Sequence, residues 1–86
     1  MSMKKVTVYT MESCPYCLRA KDLLKRRGIP FEEILVPMDD DAQWDALFKR
    51  SGMQTMPQIF AGDHLIGGYT DLAELDSKDS LVSLKN

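Results

Sequence analysis

The chain is poor in the residues that build metal centres and cross-links, with two cysteines and one histidine in 86 residues. A structural zinc site wants four ligands, so a second subunit would have to complete the shell. A disulfide between Cys14 and Cys17 would close too short a loop to restrain much of the unfolded chain. Long apolar runs are missing as well. After Lys4 and Lys5 only "VTVYTM" precedes Glu12, well short of the roughly 20 residues of a membrane helix or the about 7–15 of a signal-peptide core. Neither sign of charge dominates: a net charge of −2 leaves no electrostatic footprint for nucleic acid. Together these absences lead us to expect a cytoplasmic protein with no membrane or nucleic-acid partner. In that reducing compartment a reversible disulfide is usually catalytic.

No repeat, low-complexity tract or linker interrupts the sequence, so residues 1–86 read as a single domain. A chain this short buries roughly 60–65% of its unfolded surface, enough for one modest core. "KKVTVYT" alternates Val6 and Val8 with Thr7 and Tyr9, which predicts a strand. From Pro15 to Arg27 the period becomes helical, with Cys17, Ala20, Leu23, Leu24 and Arg27 on one stripe and Gly28 as the stop. "FEEILV", Phe31 to Val36, predicts a second strand. Asp39, Asp40 and Asp41 then open a helix whose apolar stripe is Trp44, Leu47 and Phe48, ending at Gly52. In "PQIFAGDHLIGG" two short apolar runs flank Gly62-Asp63, a β-hairpin signal. Leu72 and Leu75, with Leu81 and Leu84 beyond "DSKDS", predict a last helix. The order β-α-β-α-β-β-α implies a parallel pair extended by an antiparallel hairpin. The expected class is α/β, a four-stranded mixed sheet with helices on both faces.

Chemistry concentrates in "ESCPYCLRAK". Cys14 falls after a strand and at the start of a helix, where unpaired N–H groups and the helix dipole stabilise an anion. Pro15 suits the first turn because the N–H it lacks would have no helical partner there. Cys17 lies one turn on, facing the same way, so the sulfurs can bridge with little backbone movement. A Cys-X-X-Cys beside a βαβ pattern reads as a redox centre. Lowering the Cys14 pKa from about 8.5 to roughly 5 raises its thiolate fraction near neutrality about 30-fold. A Brønsted slope of about 0.4–0.5 then costs about 30- to 50-fold in nucleophilicity, so the net gain is as a leaving group.

Three stretches, "CPYC" (14–17), "TMPQIF" (55–60) and "GGYTDL" (67–72), resemble the glutaredoxins in this order and spacing, most closely the short bacterial dithiol type. The resemblance spans essentially the whole chain. It implies a thioredoxin fold and a glutathione-dependent thiol–disulfide oxidoreductase acting on protein disulfides and glutathionylated proteins. Cys14 would be the nucleophile and Cys17 the resolving thiol. The implied glutathione-binding residues are Tyr16 at the rim, Thr55, Met56 and Pro57 with a cis Met56-Pro57 bond, and Gly68, Thr70 and Asp71. The backbone of Met56 would pair with glutathione as a short added strand. The start of the last helix would receive the γ-glutamyl carboxylate, and Asp71 its ammonium. Thr70 or Asp71 as an ordinary helix cap is the plainer alternative. Glutathione is expected as co-substrate with no metal, and the protein is expected to be a monomer.

The sequence departs from the family where basic or polar residues usually meet the glycyl carboxylate: Met11, Trp44 (with Gln43 adjacent) and Gln54 stand there. Two other readings therefore remain open. One is a carrier bridging a 2Fe–2S cluster between two subunits, against which Pro15 stiffens the loop and removes an N–H. The other is a redoxin reduced directly by thioredoxin reductase.

Overall fold

A computed structural model describes residues 5–78. Four strands, β1 (Val6–Thr10), β2 (Phe31–Leu35), β3 (Gln58–Ala61) and β4 (His64–Gly67), form one sheet in the order β2-β1-β3-β4. β1 pairs parallel with β2 and antiparallel with β3, and β4 closes the hairpin antiparallel to β3. Three helices cover the sheet: α1 (Pro15–Arg26), α2 (Asp41–Ser51) and α3 (Tyr69–Ser77). The expected α/β architecture is what folds.

Strand alternation decides the two faces. Val6 and Val8 point with Ile59 and Ala61 into one cluster, against Ala20, Leu23 and Leu24 of α1 and Leu72 of α3. Tyr9 and Phe60 point the other way, toward Val36 and the α2 residues Leu47 and Trp44. Their rings meet edge to face at 5.6 Å. Leu24 is fully enclosed, a burial of roughly 2 kcal/mol that fixes α1 on the sheet.

Several boundaries shift from the sequence expectation. Val36 lies past β2, although its N–H still bonds the Thr10 carbonyl at 2.8 Å. Arg27 leaves the apolar stripe of α1 and becomes its C-cap, with its guanidinium gripping Asp76 of α3 at 2.7 and 3.0 Å. Asp40 is the N-cap of α2, and Gly52 ends that helix in the left-handed region at φ 75°. Phe48 is 41% exposed, because Leu47 and Trp44 already fill the contact that α2 makes with the sheet. α3 begins at Tyr69, and the expected Leu81 and Leu84 lie outside the described residues.

Beneath α1, Glu33 joins three elements: its Oε2 accepts from the Lys21 ammonium and the Thr10 hydroxyl, each at 2.9 Å. The Lys21 hydrogen bond holds the Glu33 carboxyl below its ordinary value of 4.5; burial opposes this and the Thr10 hydroxyl reinforces it. A carboxylate lowered in the native state adds stability above its unfolded pKa and loses it as pH falls through the native one. The Glu33 side chain is 37% exposed, and solvent screening keeps the contribution below about 1 kcal/mol. Urea unfolding of wild type and Glu33→Gln should differ by that amount at about pH 7 and converge below about pH 4. A gap that stays constant across this range contradicts the ion-pair account.

Candidate active site

The antiparallel register brings three chain segments to one edge of the sheet. Tyr9 pairs with Gln58, which sets the end of β1 beside the start of β3, and Ile59 pairs with Gly67 at the end of β4. Three loops therefore converge: the one carrying Cys14, the Thr55–Pro57 segment, and the Gly67-Gly68 entry to α3.

Cys14 and Cys17 are joined by a disulfide, with Cα atoms 5.2 Å apart. Ser13 precedes them at φ 56°, a sparsely populated conformation for a residue with a side chain. Cys14 is extended and serves as the N-cap of α1. Its carbonyl accepts the first helical hydrogen bond, from Leu18 at 3.2 Å, and its Sγ accepts the Cys17 N–H at 3.2 Å. Pro15 at the first helical position has no N–H, and the first turn contains no acidic residue. The positive end of the dipole thus falls on Cys14 Sγ without a competing carboxylate. Both residues are buried, Cys14 at 6% and Cys17 at 2% exposure.

A groove of about 550 Å³ runs alongside. The sequence-derived candidates Tyr16, Thr55, Met56, Pro57, Gly68, Thr70 and Asp71 all line it. Met56-Pro57 is cis, as the resemblance implied. Tyr16 stands 55% exposed at the rim, its ring 6.1 Å from that of Tyr69 and beneath the Arg19 guanidinium at 5.3 Å. At the other side Gly68 caps α3, and its N–H donates to Asp71 Oδ2 at 3.0 Å. Asp71 is therefore a capping side chain within the first turn as well as a wall of the groove. Thr70 caps nothing. Gly67 has φ +124°, and a Cβ there would run into the Asp71 side chain, so glycine is required at this turn.

Sequence reasoning missed three contributors. Gln58 is 1% exposed and donates to the carbonyls of Met53 and Thr55 at 3.0 and 3.2 Å, tying down the loop before β3. Met53 and Tyr69 add groove wall. A glutamine inside an apolar strand run was the available signal for Gln58, because a buried amide needs partners. Of the positions where the family places polar or basic residues, Met11 and Gln54 line the groove. Trp44 and Gln43 do not: the Trp44 indole donates to the Pro37 carbonyl at 2.9 Å and the Gln43 amide to Asp40 at 2.9 Å. Gln43 faces a separate cavity of about 300 Å³ with Tyr9 and Arg50. Among the described residues no cluster of three or more His, Cys, Asp or Glu side chains could hold a metal ion.

A disulfide-forming pair at a helix N-terminus on this sheet defines a thiol–disulfide oxidoreductase of the thioredoxin fold. The glutaredoxin family profile matches residues 6–66, and the chain belongs to that family. It is 46% identical to glutaredoxin 3 of Escherichia coli K12 over 83 residues, covering 95% of this chain and 98% of that protein. The solution structure of glutaredoxin from Brucella melitensis superposes with a TM-score of 0.80 at 40% identity, covering 100% of this chain and 96% of the other. A buckwheat glutaredoxin–glutathione complex gives a TM-score of 0.85 at 30% identity over 95% of this chain and 76% of the other.

The cap geometry yields a direct expectation. In the reduced protein Cys14 should titrate well below a free thiol, because the Cys17 N–H and the helix dipole favour its anion. Alkylation of reduced Cys17→Ser by iodoacetamide, followed against pH, should give a midpoint far under about 8.5. A midpoint near that value would remove the electrostatic role of the α1 terminus.

Proposed function

We propose that this protein reduces protein disulfides and glutathione mixed disulfides with glutathione as the electron donor. The observation that carries the reading is the groove beside the Cys14–Cys17 pair, walled by Tyr16, Thr55, Met56, Pro57, Gly68, Thr70 and Asp71. Its volume of about 550 Å³ has room for a tripeptide. The backbone of Met56 offers strand-like pairing to such a ligand. The first-turn N–H groups of α3 suit a carboxylate, and Asp71 suits an ammonium.

In the proposed cycle the Cys14 thiolate attacks the glutathione sulfur of a glutathionylated protein. The protein thiolate leaves and takes up a proton, and Cys14 holds the glutathione. A second glutathione thiolate attacks that glutathione sulfur, and Cys14 leaves as the thiolate favoured by its helix end, with oxidised glutathione as product. With a protein disulfide, Cys14 forms the mixed disulfide with the substrate. Cys17 then attacks the Cys14 sulfur, expels the second substrate thiol and closes the internal disulfide, which two glutathiones later reduce. The substrates are disulfide-containing or glutathionylated proteins. We assign the protein, as a monomer, to the reducing cytoplasm, where glutathione keeps thiols reduced.

Supplying glutathione and thioredoxin reductase separately as the source of electrons tests the donor; turnover should require glutathione. Cys17→Ser should retain reduction of small glutathione mixed disulfides while losing most activity on protein disulfides, and Cys14→Ser should lose both. Equal losses in the two variants, or turnover sustained by thioredoxin reductase alone, would overturn the assignment.

A further inference from the structure

The walls of the groove carry one formal charge among the described residues, the Asp71 carboxylate, and no lysine, arginine or histidine. The neighbouring cation, Arg19, stacks on the Tyr16 ring. The sheet order β1-β3-β4 places Asp71 and Met11 on opposite sides of Thr55–Pro57, because Asp71 follows β4 and Met11 follows β1. The strands β1 and β4 that lead to them lie two strand spacings apart, about 10 Å. A thiol that sets its charged amino-acid head at the start of α3 and its sulfur at Cys14 therefore extends its other end toward Met11. Met11 is half-buried and packs beside the cluster that contains Cys14 and Met56. A carboxylate arriving there finds methionine surface and no cation among the described groove walls, where Gln54 is a neutral amide.

We propose that this end of the co-substrate is accepted by apolar contact and not by its charge. Thiols built like glutathione but neutral at the C-terminal end then serve as reductants as well as glutathione itself. This rests on the glutathione-dependent reading above. Charge at the γ-glutamyl head remains essential in this scheme, since that end meets Asp71 and the first-turn N–H groups of α3.

The test compares glutathione with its glycyl monoethyl ester as reductant of a small mixed disulfide. Wild-type kcat/KM for the two should agree within about twofold at both about 0.1 M and about 1 M salt, because no cation lines the groove among the described residues. Met11→Lys should make the acid better than the ester by about three- to fivefold at low salt, the most that an exposed pair supplies. That preference should fade at high salt. A wild-type preference for the acid above about twofold that salt abolishes would overturn the proposal, since a cation would then have to reach that end. An unchanged ratio in Met11→Lys would also overturn it, by showing that the ligand does not end beside Met11. If dithiothreitol supports turnover but neither glutathione nor its ester does, the glutathione reading itself fails, an outcome separate from the other two.

Discussion

The antiparallel register of β3 against its two neighbours is the constraint on which the site depends. Val8 opposite Ile59 and Tyr9 opposite Gln58 place the end of β1 against the start of β3. Gly67 opposite Ile59 brings the end of β4 to the same level. A slip of β3 by one residue would turn Ile59 and Ala61 out of the α1–α3 cluster and put Gln58 and Phe60 in their place. The hydrophobic core thus enforces the register, and the register assembles the loops. Between Ile59 and Phe60 the ladder is irregular, which puts the bend at the strand end that leads into Gly67-Gly68.

Two helix N-termini stand at this edge, and they are dressed differently. α1 has proline at its first position, no acidic residue in its first turn, and sulfur as the cap. α3 carries Asp71, whose carboxylate returns to the Gly68 N–H. The first arrangement leaves the positive end of the dipole for the sulfur, as electron transfer through a stable thiolate requires. The second offers N–H donors and a carboxylate side by side, which suits a zwitterionic amino-acid head. The Cys14–Cys17 pair and the groove gain their complementary characters from local capping chemistry.

Much of this was legible in the sequence. Valine alternation, Pro15 after Cys14, and the Gly62-Asp63 turn each encode a local geometry that the fold retains. The less legible parts are tertiary. Whether Phe48 is buried depends on how much of α2 the sheet can cover, and helical spacing alone treats it like Leu47. Arg27 looked like part of a stripe, yet Asp76, far along the chain, claims it. The start of α3 carries no side-chain cap before Tyr69 that a sequence could show; Gly68 performs that role through its backbone. Trp44 occupies a position the family often makes polar, but its indole turns to the Pro37 carbonyl, which no spacing rule reveals.

The central claim is that the α1 terminus and the groove act as one site, with glutathione held across Thr55–Pro57 and the start of α3 while its sulfur is bonded to Cys14. The most direct test follows backbone amide shifts by heteronuclear NMR as the Cys17→Ser protein forms its mixed disulfide with glutathione. The account predicts large shifts at Thr55, Met56, Gly68, Thr70 and Asp71 in addition to those around Cys14. Shifts confined to residues 13–18, with the Thr55–Met56 and Gly68–Asp71 amides unmoved, would contradict it.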